Sequence, residues 1–430
     1  MGIKTKRFIA SRKSCSCSMP GVWRAVAHCQ GFVVIFHSPR ACAHVARTMD
    51  INSHFRSLAD EQGDGTATIP LLSSQLEEKH TIFGGAERLE KCITYAVEKY
   101  TPQCIVIANS CVAGVIGDDV VSVARDAQEK YQLPILTVDS YGFLDGEYYE
   151  GYFFMTENLI DHFVKLLPKE KKTVVLLGDN GGPWGHYAKE VTRLLNALGI
   201  KVIGQFPGYM SFDEIQKLGR AEGCIVLGGR GHTYVGLNRL ARKLYQQCDI
   251  KYLANIYPLG WHGTERWLQE AADLFECSDK ASEIIWQERQ SLLHGLSKYL
   301  PVTRGKATVL CIGRWLMYFH PAGILEIIKM LQLDLKGIIL LDAYDEAHRQ
   351  EMLELIRSCT DKPIYSTKDG EELLSQADLV LTTHELQNPE LKQIFLPMLP
   401  QVGTTGALYL MEIIYRTMRS RLQQGGVVYV

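Results

Sequence analysis

The sequence predicts an α/β protein of three doubly wound, Rossmann-like parallel-sheet domains around a central cleft. Two observations carry that expectation. Short runs of Val, Ile and Leu recur with little polar alternation, as strands covered on both faces require. Amphipathic helical stretches separate them, and strand–helix–strand alternation builds parallel sheets. In chain order the strand runs are Cys104–Ala108, Ile135–Val138, Thr173–Leu177, Lys201–Phe206, Cys224–Leu227, Tyr252–Ile256, Thr308–Ile312, Gly337–Leu341 and Leu379–Thr382. Helices are expected between them, among them Tyr187–Leu198, Pro321–Leu331 and Asp345–Ser358. The stretch holding Trp23, Cys29 and Phe32 also reads as helical, with Cys29 as a packing residue.

A chain of 430 residues is too long for one ordinary core. Two polar linkers, Pro168–Lys172 and Pro301–Lys306, each precede a fresh strand. They set expected α/β domains of 1–168, 169–302 and 303–430, the first holding Cys17, Cys42 and Cys111.

A net charge of −2 supplies no basic field for nucleic acid and no polybasic membrane patch. No apolar run approaches the ~20 residues that span a bilayer. The basic N-terminus, Met1 to Lys13, has only Phe8-Ile9-Ala10 as an apolar stretch, too short for a secretory signal. A cytoplasmic protein without nucleic-acid or membrane partners is therefore expected. Twelve cysteines in such a protein argue against a disulfide framework. Cys104, Cys224 and Cys311 sit inside apolar strand runs and read as small buried hydrophobes. Cys92, Cys248, Cys277 and Cys359 have no partner at metal-ligand spacing.

Two glycine-rich turns come after predicted strands. Gly178–Gly185 occupies the place of a dinucleotide loop, but G-x-G-x-x-G is absent and Pro183 and Trp184 crowd it. Gly228-Gly229-Arg230-Gly231-His232 offers Arg230 for an anion and His232 as a ligand or proton donor. Both also read as plain strand-to-helix turns. No G-x-x-x-x-G-K-[ST] loop exists, so any ATP must be bound by another chain. Strand-end turns, the first glycine-rich one included, also bear Asp179, Asn180, Trp184, His186, Tyr257, Trp261, His262, Arg314, Trp315 and His320. Of these, Trp261 and His262 join Arg230 and His232 as candidates for a bulky ligand in the cleft. Tryptophans that seal domain contacts are the equal alternative.

Three cysteines stand apart. Cys17, Cys42 and Cys111 each lie beside small residues where a loop or strand end is expected. Three thiolates gathered by folding are a ligand set for iron–sulfur chemistry, since soft sulfur donates well to iron.

Their flanks carry a resemblance. Cys17-Ser18-Met19-Pro20-Gly21 and His37-Ser38-Pro39-Arg40-Ala41-Cys42 resemble the first two cluster-cysteine motifs of nitrogenase component 1 subunits. Phe83-Gly84-Gly85 through Leu89 is similar to that family's next segment. Cys111, followed by Ile116-Gly117-Asp118-Asp119, resembles its third cysteine motif. Asp139–Phe143, Gly178-Asp179 and Gly403–Ala407 are similar to later landmarks, so the likeness runs from about residue 15 to about 420. Pro20 and Gly21 favour Cys17 over the nearby Cys15 as the ligand.

The resemblance implies an oxidoreductase subunit with an iron–sulfur cluster of 4Fe-4S or 8Fe-7S type, shared at a subunit interface. It implies a homologous or identical component 1-type partner in a dimer or tetramer, and an ATP-dependent iron–sulfur reductase protein as electron donor. A scaffold for assembling a complex metal–sulfur cofactor is the alternative. Two departures matter. Ser38 and Ala41 stand at family glycines. Neither the cysteine near Gly231 or His232 nor the histidine near Phe395–Pro400 that would hold a molybdenum–iron cofactor is present. The pattern is similar to that of tetrapyrrole-pathway reductases.

Overall fold

A computed structural model describes residues 17–48, 68–141, 147–228, 231–313, 320–341, 346–388, 390–396 and 401–420. Arg230, Cys15, Gly142, Phe143, Arg314, Trp315 and residues 397–400 lie outside them. The described residues form three sheets, all parallel. The first runs β2 (Leu71–Ser73), β1 (Phe32–His37), β3 (Cys104–Ser110), β4 (Ile135–Ser140). The second runs β6 (Lys201–Phe206), β5 (Glu170–Leu177), β7 (Ala221–Val226), β8 (Lys251–Leu253). The third runs β11 (Ile364–Ser366), β10 (Asp334–Leu340), β9 (Ala307–Ile312), β12 (Leu379–Thr382), β13 (Gln393–Phe395). The expected doubly wound α/β class is the observed one. Compact packing divides the described residues into two units. One falls within Arg12–Ala188 and Ile200–Ala254, the other within Lys189–Gly199 and Asn255–Val430.

The strand β1 corrects the helical expectation at Phe32. Phe32-Val33-Val34-Ile35-Phe36 is β-branched and aromatic, which suits a pleated buried surface better than a helix. Every residue of β1 is buried. Its alternate side chains enter two cores: Phe32, Val34 and Phe36 on one face, Val33 and Ile35 on the other. Cys29 lies before the strand, fully buried, and its burial pushes the thiol up to about 12. Cys104, Cys224 and Cys311 are likewise buried within strands, as their apolar settings predict.

The order β2-β1-β3-β4 reverses direction between β1 and β3. Ligands in open α/β sheets bind outside the carboxyl ends of strands at such a switch point. The loops after β1 and β3 are those that carry Cys42 and Cys111. In the second sheet the switch lies between β5 and β7, whose succeeding turns are the two glycine-rich ones.

In the first unit, one buried ion pair ties the helix Met19–Arg24 to the end of β5. Arg24 Nε and Nη2 donate to the two oxygens of Asp179 at 2.9 and 2.7 Å. The Tyr209 hydroxyl donates to Asp179 at 2.5 Å, and the guanidinium lies 4.9 Å over the Tyr209 ring. Burial pushes the Tyr209 phenol up, so it serves as a neutral donor. In the other unit, Arg193 bridges Glu190 and Glu288 at 2.7 to 2.8 Å. Glu190 also accepts from the Thr405 backbone at 3.3 Å, at the start of the helix Gly403–Arg419.

Arg24→Ala leaves the Asp179 carboxylate without its cation in a largely buried place. The expected loss is about 3 kcal/mol in urea unfolding. An unchanged midpoint would show that the pair contributes nothing.

Candidate functional site: the carboxyl edge of the first sheet

Two turns, one leaving β1 and one leaving β3, form the site. His37 ends β1 and pairs in register with Asn109 near the end of β3. After β1 the chain turns through Ser38 and Pro39 into the helix Arg40–Thr48, with the Cys42 N–H donating to the Pro39 carbonyl at 3.1 Å. After β3, Ser110 caps the helix Cys111–Ile116 by accepting from the Ala113 N–H at 3.3 Å. Both cysteines thus stand in the first turn of a helix, Cys111 directly after the last residue of β3. That is where the backbone dipole favours a thiolate. Cys17 stands just before the helix Met19–Arg24 and, with Cys42, packs against the core of the first unit.

Cys42 and Cys111 are half-buried and within electrostatic reach of one another. Burial pushes the Cys42 thiol up, the Cys111 thiol adds to that, and a hydrogen bond with the Ser38 side chain opposes both. Neither Ser38 nor Ala41 adopts a positive φ, so the replacement of family glycines there carries no backbone strain.

Four polar groups hold the two cysteine loops together. His37 Nε2 lies 2.9 Å from Asp118 Oδ2, and His37 Nδ1 lies 2.9 Å from Ser74 Oγ. Asp118 also accepts from the Gly85 N–H at 2.8 and 3.0 Å. Ser74 Oγ accepts from the Ser38 N–H at 3.2 Å. A carboxylate only accepts, so His37 donates from Nε2–H, and Nδ1 accepts a hydrogen bond from the Ser74 hydroxyl. Every member of this buried network is satisfied. The glycines are dictated by it. A Cβ on Gly85 would lie 2.6 Å from Asp118 Oδ2 and 3.0 Å from the His37 ring. Gly117, at φ +72°, ends the short helix in the left-handed conformation and delivers Asp118. Asp119 then caps the next helix by accepting from Ser122 N–H. The spacing from Cys111 to Asp119 therefore encodes helix, cap, bracket and cap in order.

The other candidates separate. The Gly178–Gly185 turn commits its carboxylate, Asp179, to Arg24, and three of its residues after Asp179, namely Asn180, Gly181 and Gly182, have positive φ. It is a tight strand-to-helix turn in this unit. Arg230 lies outside the described residues, and His232 lies in the helix Gly231–Cys248. In the second unit, Trp261 is buried in the core, 9% exposed, whereas the His262 side chain is 84% exposed. Their backbone N–H groups both donate to Glu326, at 2.8 and 3.1 Å, which caps the helix Gly260–Leu274. Beside that cap, a cavity of about 60 Å³ is lined by Leu259, Ile324, Ile327, Leu410 and His320 among others. It is too small for a bulky cofactor. A larger groove lies on the helices Ala86–Tyr100 and Val120–Tyr131, lined by Tyr95, Glu98, Lys130 and Tyr131.

Among the described residues, no group of three or more His, Cys, Asp or Glu side chains is gathered at metal-binding geometry. None of the described helices is long and apolar enough to cross a membrane. The bracket of His37, Ser74, Gly85 and Asp118 has no role in a reading of motifs alone. Arg24, Tyr209, Glu190 and Glu326 likewise carry no motif in sequence.

Parallel sheets with helical connections and turns at switch points place the chain among doubly wound α/β proteins. Residues 17–419 match the family described as nitrogenase component 1 type oxidoreductase, and the chain belongs to it. It is 26% identical over 290 residues to the nitrogenase molybdenum-iron protein alpha chain of Methanosarcina barkeri, covering 65% of this chain and 52% of that one. It is 29% identical over 250 residues to the nitrogenase iron-molybdenum cofactor biosynthesis protein NifE of Nostoc sp., covering 56% and 50%. To NifE of Clostridium pasteurianum it is 28% identical over 305 residues, covering 67% and 63%. The chain thus spans about half the length of the first two relatives. The solved structure of nitrogenase Cp1 at pH 5 has the same fold, with TM-score 0.63, 16% identity and coverage of 97% and 90%.

The bracket predicts a pH dependence. Burial pushes the His37 imidazole below its ordinary value, while Asp118 pulls the other way. The unfolded chain therefore takes up a proton before the folded one does. The contribution to stability is full above about pH 6.5 and is lost as the pH falls below it. Urea midpoints from about pH 8 to about pH 5 should fall more steeply in the parent than in His37→Gln. Equal slopes would contradict the assignment.

Proposed function

We propose that this chain is the cluster-bearing subunit of a nitrogenase-like iron–sulfur oxidoreductase. Cys17, Cys42 and Cys111 are its thiolate ligands. A homologous or identical component 1-type subunit completes the site, and an ATP-dependent iron–sulfur reductase protein is its electron donor. The observation that carries this reading is the placement of Cys42 and Cys111. They stand within electrostatic reach of one another in first helical turns at the switch point of one sheet, each still half-buried.

That setting fits a cluster. The Cys111 sulfur lies close enough to Cys42 to oppose a second negative charge there, a repulsion that a bound cation relieves. Three cysteines are one fewer than a four-thiolate cluster site needs, which suits completion by a second subunit. When bound, an iron–sulfur cluster supplies one-electron transfer at low potential. The chain's own contributions are mechanical and electrostatic. His37 and Asp118 fix the spacing of the two loops. The Ser38 hydroxyl stabilises the Cys42 sulfur, as hydrogen bonds to cluster sulfurs commonly tune potential. The apolar core beneath Cys17 and Cys42 excludes water from one side. Arg230, His232, Trp261 and His262 are each candidate ligand-binding residues, His262 exposed at a helix start and Trp261 buried in its own core.

A second reading, a scaffold that assembles a metal–sulfur cofactor and passes it on, is supported by the NifE relatives. The two differ in turnover: a scaffold transfers its cluster to an acceptor and reduces nothing catalytically.

Cys42→Ser is expected to abolish bound iron and sulfide, and the dithionite-reduced EPR signal, in anaerobically isolated protein. Stability should change by about 0.5 kcal/mol or less, since the residue is only partly buried. A full cluster spectrum in that variant would remove Cys42 from the ligand set.

A further inference from the structure

The helix Met19–Arg24 is only six residues long, and every one of them is buried. Two unrelated contacts fix it. At its start, reciprocal glycines let it touch the helix Tyr148–Phe163 backbone to backbone. A Cβ on Gly151 would lie 2.1 Å from the Ser18 carbonyl oxygen, and one on Gly21 would lie 1.8 Å from the Tyr148 carbonyl oxygen. Neither glycine has a positive φ, so space and not conformation demands them. The atoms in the way are backbone and have no rotamer to escape into. At its end, Arg24 holds Asp179 through two charge-assisted hydrogen bonds. Asp179 is itself fixed. Tyr209 donates to its carboxylate at 2.5 Å, and the Gln205 amide donates to its backbone carbonyl at 2.6 Å.

Cys17 directly precedes Ser18, whose carbonyl is the atom seated on Gly151. The Ser18 carbonyl also accepts the Val22 N–H at 3.0 Å, so it joins the interlock to the helix itself. We propose that Gly151, Arg24 and Asp179 are positioning residues for the Cys17 sulfur. The glycine contact sets the depth of the Cys17–Ser18 peptide. The ion pair anchors the far end and stops the short helix from sliding or turning. Six residues cannot hold such a position alone, because an isolated helix of that length is unstable. The inference rests on the reading of Cys17 as a cluster ligand.

The test uses three variants of the full chain. In Arg24→Met with Asp179→Asn, neutral side chains of similar volume replace the buried pair, a change that usually preserves stability. Gly151→Ala removes the other contact, and Cys17→Ser is the control. Iron-free protein is treated with iodoacetamide, and alkylation at Cys17 and Cys42 is tracked by peptide mass spectrometry. The loaded protein is compared by EPR. In the double variant Cys17 should react about tenfold faster while Cys42 does not change, as expected for easier local opening. The EPR g values should shift, and Gly151→Ala should behave alike. If Gly151→Ala fails to fold, the double variant decides alone. Parent-like Cys17 reactivity and an unshifted spectrum in a folded double variant would overturn the inference. A full, unaltered cluster in Cys17→Ser would instead overturn the ligand reading, and the alkylation rates would still report on positioning.

Discussion

The Asp118 carboxylate accepts from the His37 ring and from the Gly85 backbone, and through them it joins three chain segments at one edge of the first sheet. His37 leads into the Cys42 turn, Asp118 closes the Cys111 helix, and Gly85 opens the helix Ala86–Tyr100. The His37 side chain is fully buried and that of Asp118 is 6% exposed. Hydrogen bonds of this kind contribute modestly when made but cost about 1–3 kcal/mol when one partner is removed. The bracket is therefore a strict condition on the geometry. Ser74 extends it from β2's end, so the network joins four chain segments at this edge.

Switch-point topology gives that network its chemical meaning. The crossover order opens a gap beyond β1 and β3, and the bracket keeps the two loops flanking the gap at a set separation. The glycines are where backbone or carboxylate needs the volume of a Cβ. Gly85 yields to Asp118, Gly151 to Ser18, and Gly403 to Glu190 in the other unit, where the added atom would lie 2.2 Å from Oε1. Such positions admit no larger residue without moving something rigid.

Much of this was legible in the chain. Runs mostly rich in Val, Ile and Leu mark nine strands, and β6 and β12 have the bounds the pattern sets. The short edge strands β2, β11 and β13 carry only three residues each, too few to show a period. The strand β1 has a clear β-branched signal, and a helical reading there gives too much weight to the aromatic spacing before it. The cysteines could be singled out because small residues surround them and because the flanking motifs resemble a family. The bracket could not. His37 and Asp118 lie 81 residues apart, and nothing in either motif says that one accepts from the other. Arg24 is an isolated cation in an apolar run, a real signal of a buried partner, but its partner is 155 residues away. Trp261 and His262 illustrate the opposite case: adjacent in sequence, they part into core and solvent because helix neighbours point about 100° apart.

The central claim is that the bracket holds the Cys42 and Cys111 sulfurs as neighbours before any metal arrives. The most direct measurement is bridging of the iron-free protein by phenylarsine oxide, which condenses with two nearby thiols and releases water. Intact mass and peptide mapping should show an arsenical spanning Cys42 and Cys111, absent in either serine variant and weakened in Asp118→Ala. Uptake at those peptides that survives Cys42→Ser, or no bridge between them at all, would contradict the account.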